Sequence, residues 1–350
     1  MAKKFSLYAI YSLAKSRWEE EETFDLSTLP FDIAEGVRIE DVSPFIRSDA
    51  FAMMEKRKGS DEVEALQRTR YALVHRFDAA MTFENGNVTS TEDYVRHSEQ
   101  LVRKLAACLR LVRPMRQSST FMRGNVRNDG TFDVESWQSP ADLMEVPEVQ
   151  ILFQLRNQDA NDLRTYAPSF LKAMDGYFWK FKMAVQFHEL GHWADEGELL
   201  KARYLLWASA IESIYTSHHI NHQGSRVATA RIKWFLGENT SIYRPGEISD
   251  LLSDPNISIG SVVDDLYKIR NYIAHGDRIP DRYLREMVRN SFGGSVCLYA
   301  MLFEAQSSII RGSLLKILSD GLLDHFVDAS SAEAYFGTQL LTRDKLPPKP

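Results

Sequence analysis

The stretch Asp264-Asp265-Leu266-Tyr267-Lys268-Ile269-Arg270-Asn271-Tyr272-Ile273-Ala274-His275-Gly276 sets an arginine, an amide and a histidine at the end of a helical pattern. Val262, Leu266, Ile269 and Ile273 recur at steps of four, three and four, which is one apolar stripe at helical period. Asn271 and His275 are four apart and so neighbours on the other side of that helix. Arg270 lies about 140° around the helix from His275, so only its long guanidinium fork could converge with the ring. Gly276 and then Pro280 read as a helix stop. His275 is thereby left in the last turn, where the negative end of the helix attracts a cation. Fork, imidazole and amide are what phosphodiester cleavage without a metal requires: one group moves protons, one carries developing charge, one orients.

Outward from this stretch, the second half of the chain reads as helix after helix, with breaks at Gly197, His218 to Gly224, Gly237 to Gly246, Ser253 to Gly260 and Gly276 to Pro280. Tyr283 to Leu318 reads as one long helix, or two meeting at a Gly293-Gly294 bend. The first half mixes elements. Met1 to Leu13 suggests a strand or short helix, without the small-residue cleavage site of a signal peptide. Thr28 to Ile33 and Gly36 to Ile39 suggest strands, Glu62 to Arg76 a helix, and Thr89 to Arg113 a longer one with Leu101, Leu105, Leu109 and Val112 as its stripe. Gln117 to Glu148 suggests loops or short strands around an Asn128-Asp129-Gly130 turn, and Pro168 a boundary. The expected fold class is mainly α: an α+β N-terminal region (1–170), a C-terminal α-helical bundle (171–328) and a C-terminal tail (329–350), with Pro347 to Pro350 disordered.

Two further blocks stand upstream in order: Leu206-Trp207-Ala208-Ser209-Ala210-Ile211-Glu212-Ser213-Ile214-Tyr215, then Gly224-Ser225 with Arg231-Ile232-Lys233-Trp234-Phe235-Leu236. Together with Arg270-Asn271 and Ala274-His275-Gly276 they resemble the HEPN superfamily, and its Apea-like branch in particular. The resemblance spans roughly positions 180 to 325 and leaves about the first 170 residues outside it. It implies a metal-independent endoribonuclease of the toxin, phage-defence or stress-response kind, needing no cofactor. Its partners would be RNA and a second copy of the chain, a homodimer formed through the bundle; a protein regulator or antitoxin is left unidentified. The residues it points to are Arg270, His275 and Asn271 as catalytic, with Glu212 and Arg231 supporting, Arg231 pairing with Glu212 across the bundle. Some members of the superfamily are non-catalytic dimerisation modules, which stands as the alternative.

A competing motif is His188-Glu189-Leu190-Gly191-His192, which matches HExxH: two histidines sharing a zinc ion, with Glu189 as base and Glu212 as third ligand. The extended form is absent, since Asp195 and Glu198 stand where its Gly and His would be. The apolar surroundings Phe181, Val185, Phe187, Leu190 and Trp193 suggest instead a buried bundle helix. His218, His219 and His222 read as a polar loop.

Across its 350 residues the chain is 44% hydrophobic and 26% charged with a net charge of -6, ordinary for a globular protein and long enough for two domains. A protein that coats duplexes would be basic, so nucleic-acid contact is expected to be local, in a groove, on single-stranded RNA. The two cysteines, Cys108 and Cys297, form no CxxC pattern, and no stretch reaches the apolar length of a membrane span. A reduced, cytoplasmic protein away from membranes is the expectation.

Overall fold

A computed structural model describes residues 4–12, 25–34, 36–41, 71–80, 83–84, 87–88, 91–113, 121–126, 132–138, 155–193, 199–217, 224–242, 257–289 and 295–339. They divide into two compact units, one running to Leu171 and one from Lys172 onward.

The first unit is built on a six-stranded antiparallel sheet in the order β2-β3-β4-β1-β7-β8. Its strands are β1 (Lys4–Ser12), β2 (Phe31–Ala34), β3 (Val37–Asp41), β4 (Tyr71–Ala80), β7 (Phe121–Val126) and β8 (Phe132–Gln138). β5 (Phe83–Glu84) and β6 (Asn87–Val88) form a separate small hairpin. Strand β4 replaces the helix expected over Glu62 to Arg76, of which 62–70 lie outside the described residues. Its Tyr71-Ala72-Leu73-Val74 run is buried and is flanked by β1 and β3. A central strand covered on both faces reads as a continuous apolar run, which periodicity alone cannot tell from a buried helix.

Helix α1 (Thr91–Val112) packs over β1 and β4 and buries Leu105, Leu109 and Val112 of its expected stripe. Cys108, on the same helix, is fully buried, and burial pushes its thiol pKa up. Helix α2 (Asn157–Asp175) runs straight through Pro168. Proline breaks a helix only through one lost hydrogen bond and a ring clash with the carbonyl of residue i−4, and here Ala167 and Phe170, buried on either side, hold the helix together. The Asn128-Asp129-Gly130 turn lies outside the described residues.

The second unit is helical: α3 (Trp179–Trp193), α4 (Leu199–Tyr215), α5 (Gly224–Ile232) continuing as a π-turn over Lys233–Gly237, α6 (Ile259–Ala274), α7 (Asp281–Arg285), α8 (Leu298–Ser319) and α9 (Ala329–Gln339). Helix α8 is buried on nearly every side, from Ala300 to Leu318, and α3, α4 and α6 pack around it. Hydroxyls fix the spacing: Tyr204 donates to the Leu266 carbonyl at 3.0 Å, and Tyr215 meets Ser313 at 2.6 Å. The chain is thus mainly α, with a helical bundle in its C-terminal part.

Two sequence expectations change here. The stretch from Tyr283 to Leu318 is not continuous helix: β9 (Met287–Arg289) pairs with β10 (Ser295–Cys297) before α8 begins. Val288 and Val296, directly opposite each other, favour extended backbone; Gly293 and Gly294 lie outside the described residues. Residues 329–339, read as the start of a tail, form α9. The Arg231 guanidinium reaches Glu333 with Nη1–Oε1 at 2.8 Å and Nη2–Oε2 at 2.5 Å, and lies 4.9 Å over the Phe336 ring. Buried Phe326 and Phe336 close that end of the bundle with Tyr215 and Phe235. Residues 340–350, the proline-rich end among them, lie outside the described ones.

Candidate functional site

Helix α6 begins at Ser258, whose Oγ accepts from the Ser261 amide at 3.3 Å. Val262, Leu266 and Ile269 of the expected stripe are buried, as are Val263 and Tyr267, while Ile273 is half-buried where the helix leaves the bundle. The helix ends in a Schellman turn. The Gly276 amide donates to the Ile273 carbonyl at 3.2 Å and the Asp277 amide to the Tyr272 carbonyl at 2.8 Å. Gly276 takes φ +72°, left-handed backbone that a side chain resists. His275 is therefore the C-cap residue, with its own amide donating to Asn271 O and its side chain exposed.

Arg270 sits one and a half turns earlier and is partly buried. Its Nη2 lies 3.1 Å from Glu212 Oε1 and 3.3 Å from Oε2, joining α6 to α4. Its Nη1 donates to Asn271 Oδ1 at 3.1 Å. Below the pair lies the Tyr267 ring, whose buried hydroxyl has no hydrogen-bond partner among the described residues. Burial holds the Tyr267 pKa well above its ordinary value; the Glu212 charge adds to this and Arg270 opposes it.

The structure thus brings Arg270, Asn271 and Glu212 together and leaves His275 apart. Among the described residues no hydrogen bond reaches the His275 ring, in keeping with its position about 140° around the helix from Arg270. Arg231, expected to pair with Glu212, pairs instead with Glu333 and with the Tyr215 carbonyl at 2.8 Å. Glu212 is already taken by Arg270, and the partner for Arg231 comes from a segment whose helical character was missed. Burial raises the Glu333 pKa, but the Arg231 hydrogen bonds and charge outweigh it and hold the carboxyl below its usual range.

Sequence reasoning also passed over the segment after Gly276. Arg278, Arg282 and Arg285 are spaced by four and three, and side chains Arg278 and Arg285 are 82% and 78% exposed. Asp281 reaches Arg278 at 2.8 Å and Arg285 at 2.9 Å, and Asp265 lies 3.6 Å from Arg282, so each arginine of the run has an acidic neighbour. Its spacing was the available signal.

The HELGH segment lies inside α3. His188 is fully buried, with Nε2 at 3.3 Å from Ser307 Oγ and at 3.3 Å from His192 Nε2. A hydrogen bond between two ring nitrogens needs one donor and one acceptor, so both rings cannot be cations while it lasts. Trp207 lies against both rings and donates to the His188 carbonyl at 3.1 Å. A Cβ at Gly191 would collide with the Trp207 indole, so this glycine sets how closely α3 approaches α4. The Gly191 carbonyl accepts from Arg203 Nε at 2.6 Å. Glu212, the proposed third zinc ligand, does not join the two histidines: among the described residues no three His, Cys, Asp or Glu side chains are grouped to hold a metal ion. His218, His219 and His222 lie outside the described residues.

Comparison with models of known protein families, with curated proteins and with solved structures finds no match. Among the described residues no helix is long and apolar enough to cross a membrane.

Proposed function

We propose that the C-terminal bundle is a metal-independent endoribonuclease of the HEPN type, acting through Arg270, Asn271 and His275. The observation that carries this reading is the end of α6, where an exposed imidazole caps the helix and an arginine one and a half turns back is held by a carboxylate and an amide. In the reaction His275 removes the proton from a ribose 2′-hydroxyl, and that oxygen attacks the adjacent phosphorus. The bond from phosphorus to the 5′-oxygen breaks, and the leaving oxygen takes up a proton. Arg270 binds the non-bridging oxygens as their charge grows. The products are a 2′,3′-cyclic phosphate and a 5′-hydroxyl, so DNA is inert.

Arg270 and His275 of one chain diverge around the helix, so the reading calls for two copies, each lending its pair to a shared groove. Phosphate must also displace Glu212 from Arg270, an exchange of one anion for another that is inexpensive at a partly exposed ion pair. The test is cleavage of a mixed RNA pool in excess EDTA by wild type, His275→Ala and Arg270→Ala. Cleavage by wild type alone, ending in cyclic phosphates, is the expected result; cleavage that survives in His275→Ala removes the mechanism.

One observation favours a second reading. The Arg270–Glu212 pair spans α4 and α6, as a purely structural contact would, and so suits a non-catalytic dimerisation module. That module would form dimers and cleave nothing.

A further inference from the structure

The Arg270–Glu212 pair has a third neighbour that it does not use. Tyr267 stands one turn before Arg270 on α6, which places the two side chains on the same face of the helix. Its ring is buried, and its hydroxyl has no hydrogen-bond partner among the described residues. Other buried tyrosines of the bundle behave differently. Tyr204 donates to the Leu266 carbonyl, Tyr215 meets Ser313, and Tyr283 donates to Asp265 at 3.0 Å.

A buried hydroxyl without a partner weakens a fold, and phenylalanine would fill the same space without that cost. Packing therefore asks for the ring and not for the oxygen. The oxygen gains a purpose if the site has a second state in which it is bonded, and the pair above it has one. Arg270 Nη1 is held by Asn271, so an arriving phosphate exchanges with Glu212 at Nη2. That exchange leaves the Glu212 carboxylate, itself only 30% exposed, in need of another donor. The Tyr267 hydroxyl is close enough to feel the charges of both Glu212 and Arg270, and burial keeps it protonated, hence a donor.

We propose that Tyr267 is a positioning residue of the Arg270 site: as a phosphodiester takes the guanidinium, the displaced Glu212 carboxylate turns to accept a hydrogen bond from the Tyr267 hydroxyl. Glu212 thus has a partner in both states, Arg270 at rest and Tyr267 when phosphate is bound. The proposal rests on the ribonuclease reading for the identity of the anion.

The experiment measures binding of a short oligodeoxythymidine to the full chain by fluorescence anisotropy, for wild type, Arg270→Ala, Glu212→Ala, Tyr267→Phe and the double variant Glu212→Ala with Tyr267→Phe. The probe carries the phosphodiester and lacks the 2′-hydroxyl, so it binds without being cut. Arg270→Ala is expected to lose binding. Glu212→Ala, freed of the competing carboxylate, should bind about fivefold more tightly. Tyr267→Phe should melt no lower than wild type yet bind about fivefold more weakly, because the displaced carboxylate has lost its donor. In the double variant the tyrosine no longer matters, and binding should equal that of Glu212→Ala alone. A residue that only supports the fold would not give this pattern of unchanged stability and conditional binding. Wild-type binding by Tyr267→Phe, or the same loss with and without Glu212, would overturn the proposal. So would full binding by Arg270→Ala. Cleavage of the RNA pool is scored separately, so the ribonuclease reading can fail while the exchange at Arg270 stands, and the reverse.

Discussion

Two helices of one bundle carry histidines in motifs that chemistry recognises, and they use them in opposite ways. In α3, His188 and His192 point at each other inside the bundle, against Trp207 and Ser307. In α6, His275 stands at the helix end with its side chain exposed. The first motif is the better match as a string of letters, yet each letter examined has a packing role. His188 bonds to Ser307, Gly191 makes room for the indole, and His192 completes the pair. The second motif has no such packing role for its histidine, whose exposed ring makes no hydrogen bond among the described residues. A histidine whose position packing does not require is the better candidate for chemistry.

The largest expected effect breaks or keeps that contrast directly. His275→Ala should lower RNA cleavage by about 10²–10⁴-fold, the range for removal of a general acid or base, with little change in melting temperature because among the described residues no hydrogen bond or ring stacking holds the exposed side chain. Gly191→Ala should do the reverse. Its methyl would press on the Trp207 indole, costing about 3 kcal/mol, the upper part of the range for overpacking, since the ring is also held by its bond to His188 O. Chemical denaturation would read that loss, and the protein still folded should keep full specific cleavage. A destabilised His275→Ala, or an inactive but stable Gly191→Ala, would invert the assignment of the two helices.

How far the sequence revealed this depended on whether a signal was local. The end of α6 was legible almost to the residue, because stripe, histidine and Gly276 lie within fifteen residues and each acts on its neighbours. The partner of Arg231 was not, since Glu333 is 102 positions away and lies on a helix whose sequence, rich in Ala and Ser, has no strong period. Likewise β4 was mistaken for helix because burial on both faces erases the alternation that marks a strand. Glu212 has a different partner from the one expected: the sequence offered two arginines, and only the three-dimensional register between α4 and α6 selects Arg270.

The buried side of the bundle should also reveal itself through pH. Glu304, on α8, is pushed up to about 7 by burial, with the Arg203 and Arg311 charges opposing. Its ordinary value is 4.5, so between about pH 4.5 and 7 the folded chain keeps a proton that the unfolded chain has released. The stabilising contribution is therefore complete below pH 4.5 and is lost as pH rises through 7. A shift of this size, discounted for the partial exposure of the residue, corresponds to about 2 kcal/mol. Subtracting the stability of Glu304→Gln from that of wild type across this range should give a difference that falls with pH and then levels; a flat difference would place this carboxyl in water.

The smallest effect tests whether the α6 terminus is as well made as its hydrogen bonds indicate. At Gly276 a Cβ has nothing within 4 Å, so space is not the constraint, and only φ +72° resists a side chain. Gly276→Ala should therefore cost about 1 kcal/mol, the left-handed penalty alone. Gly276→Asn should cost less, because asparagine tolerates that conformation. The same pair of variants tests the catalytic reading, since the turn sets the direction in which His275 leaves the helix. If His275 is the proton carrier, cleavage should fall further in the alanine variant than the small stability loss explains, and asparagine should restore it. Equal cleavage by both, at wild-type level, would mean that the orientation of His275 does not matter and that the end of α6 is a helix cap and nothing more.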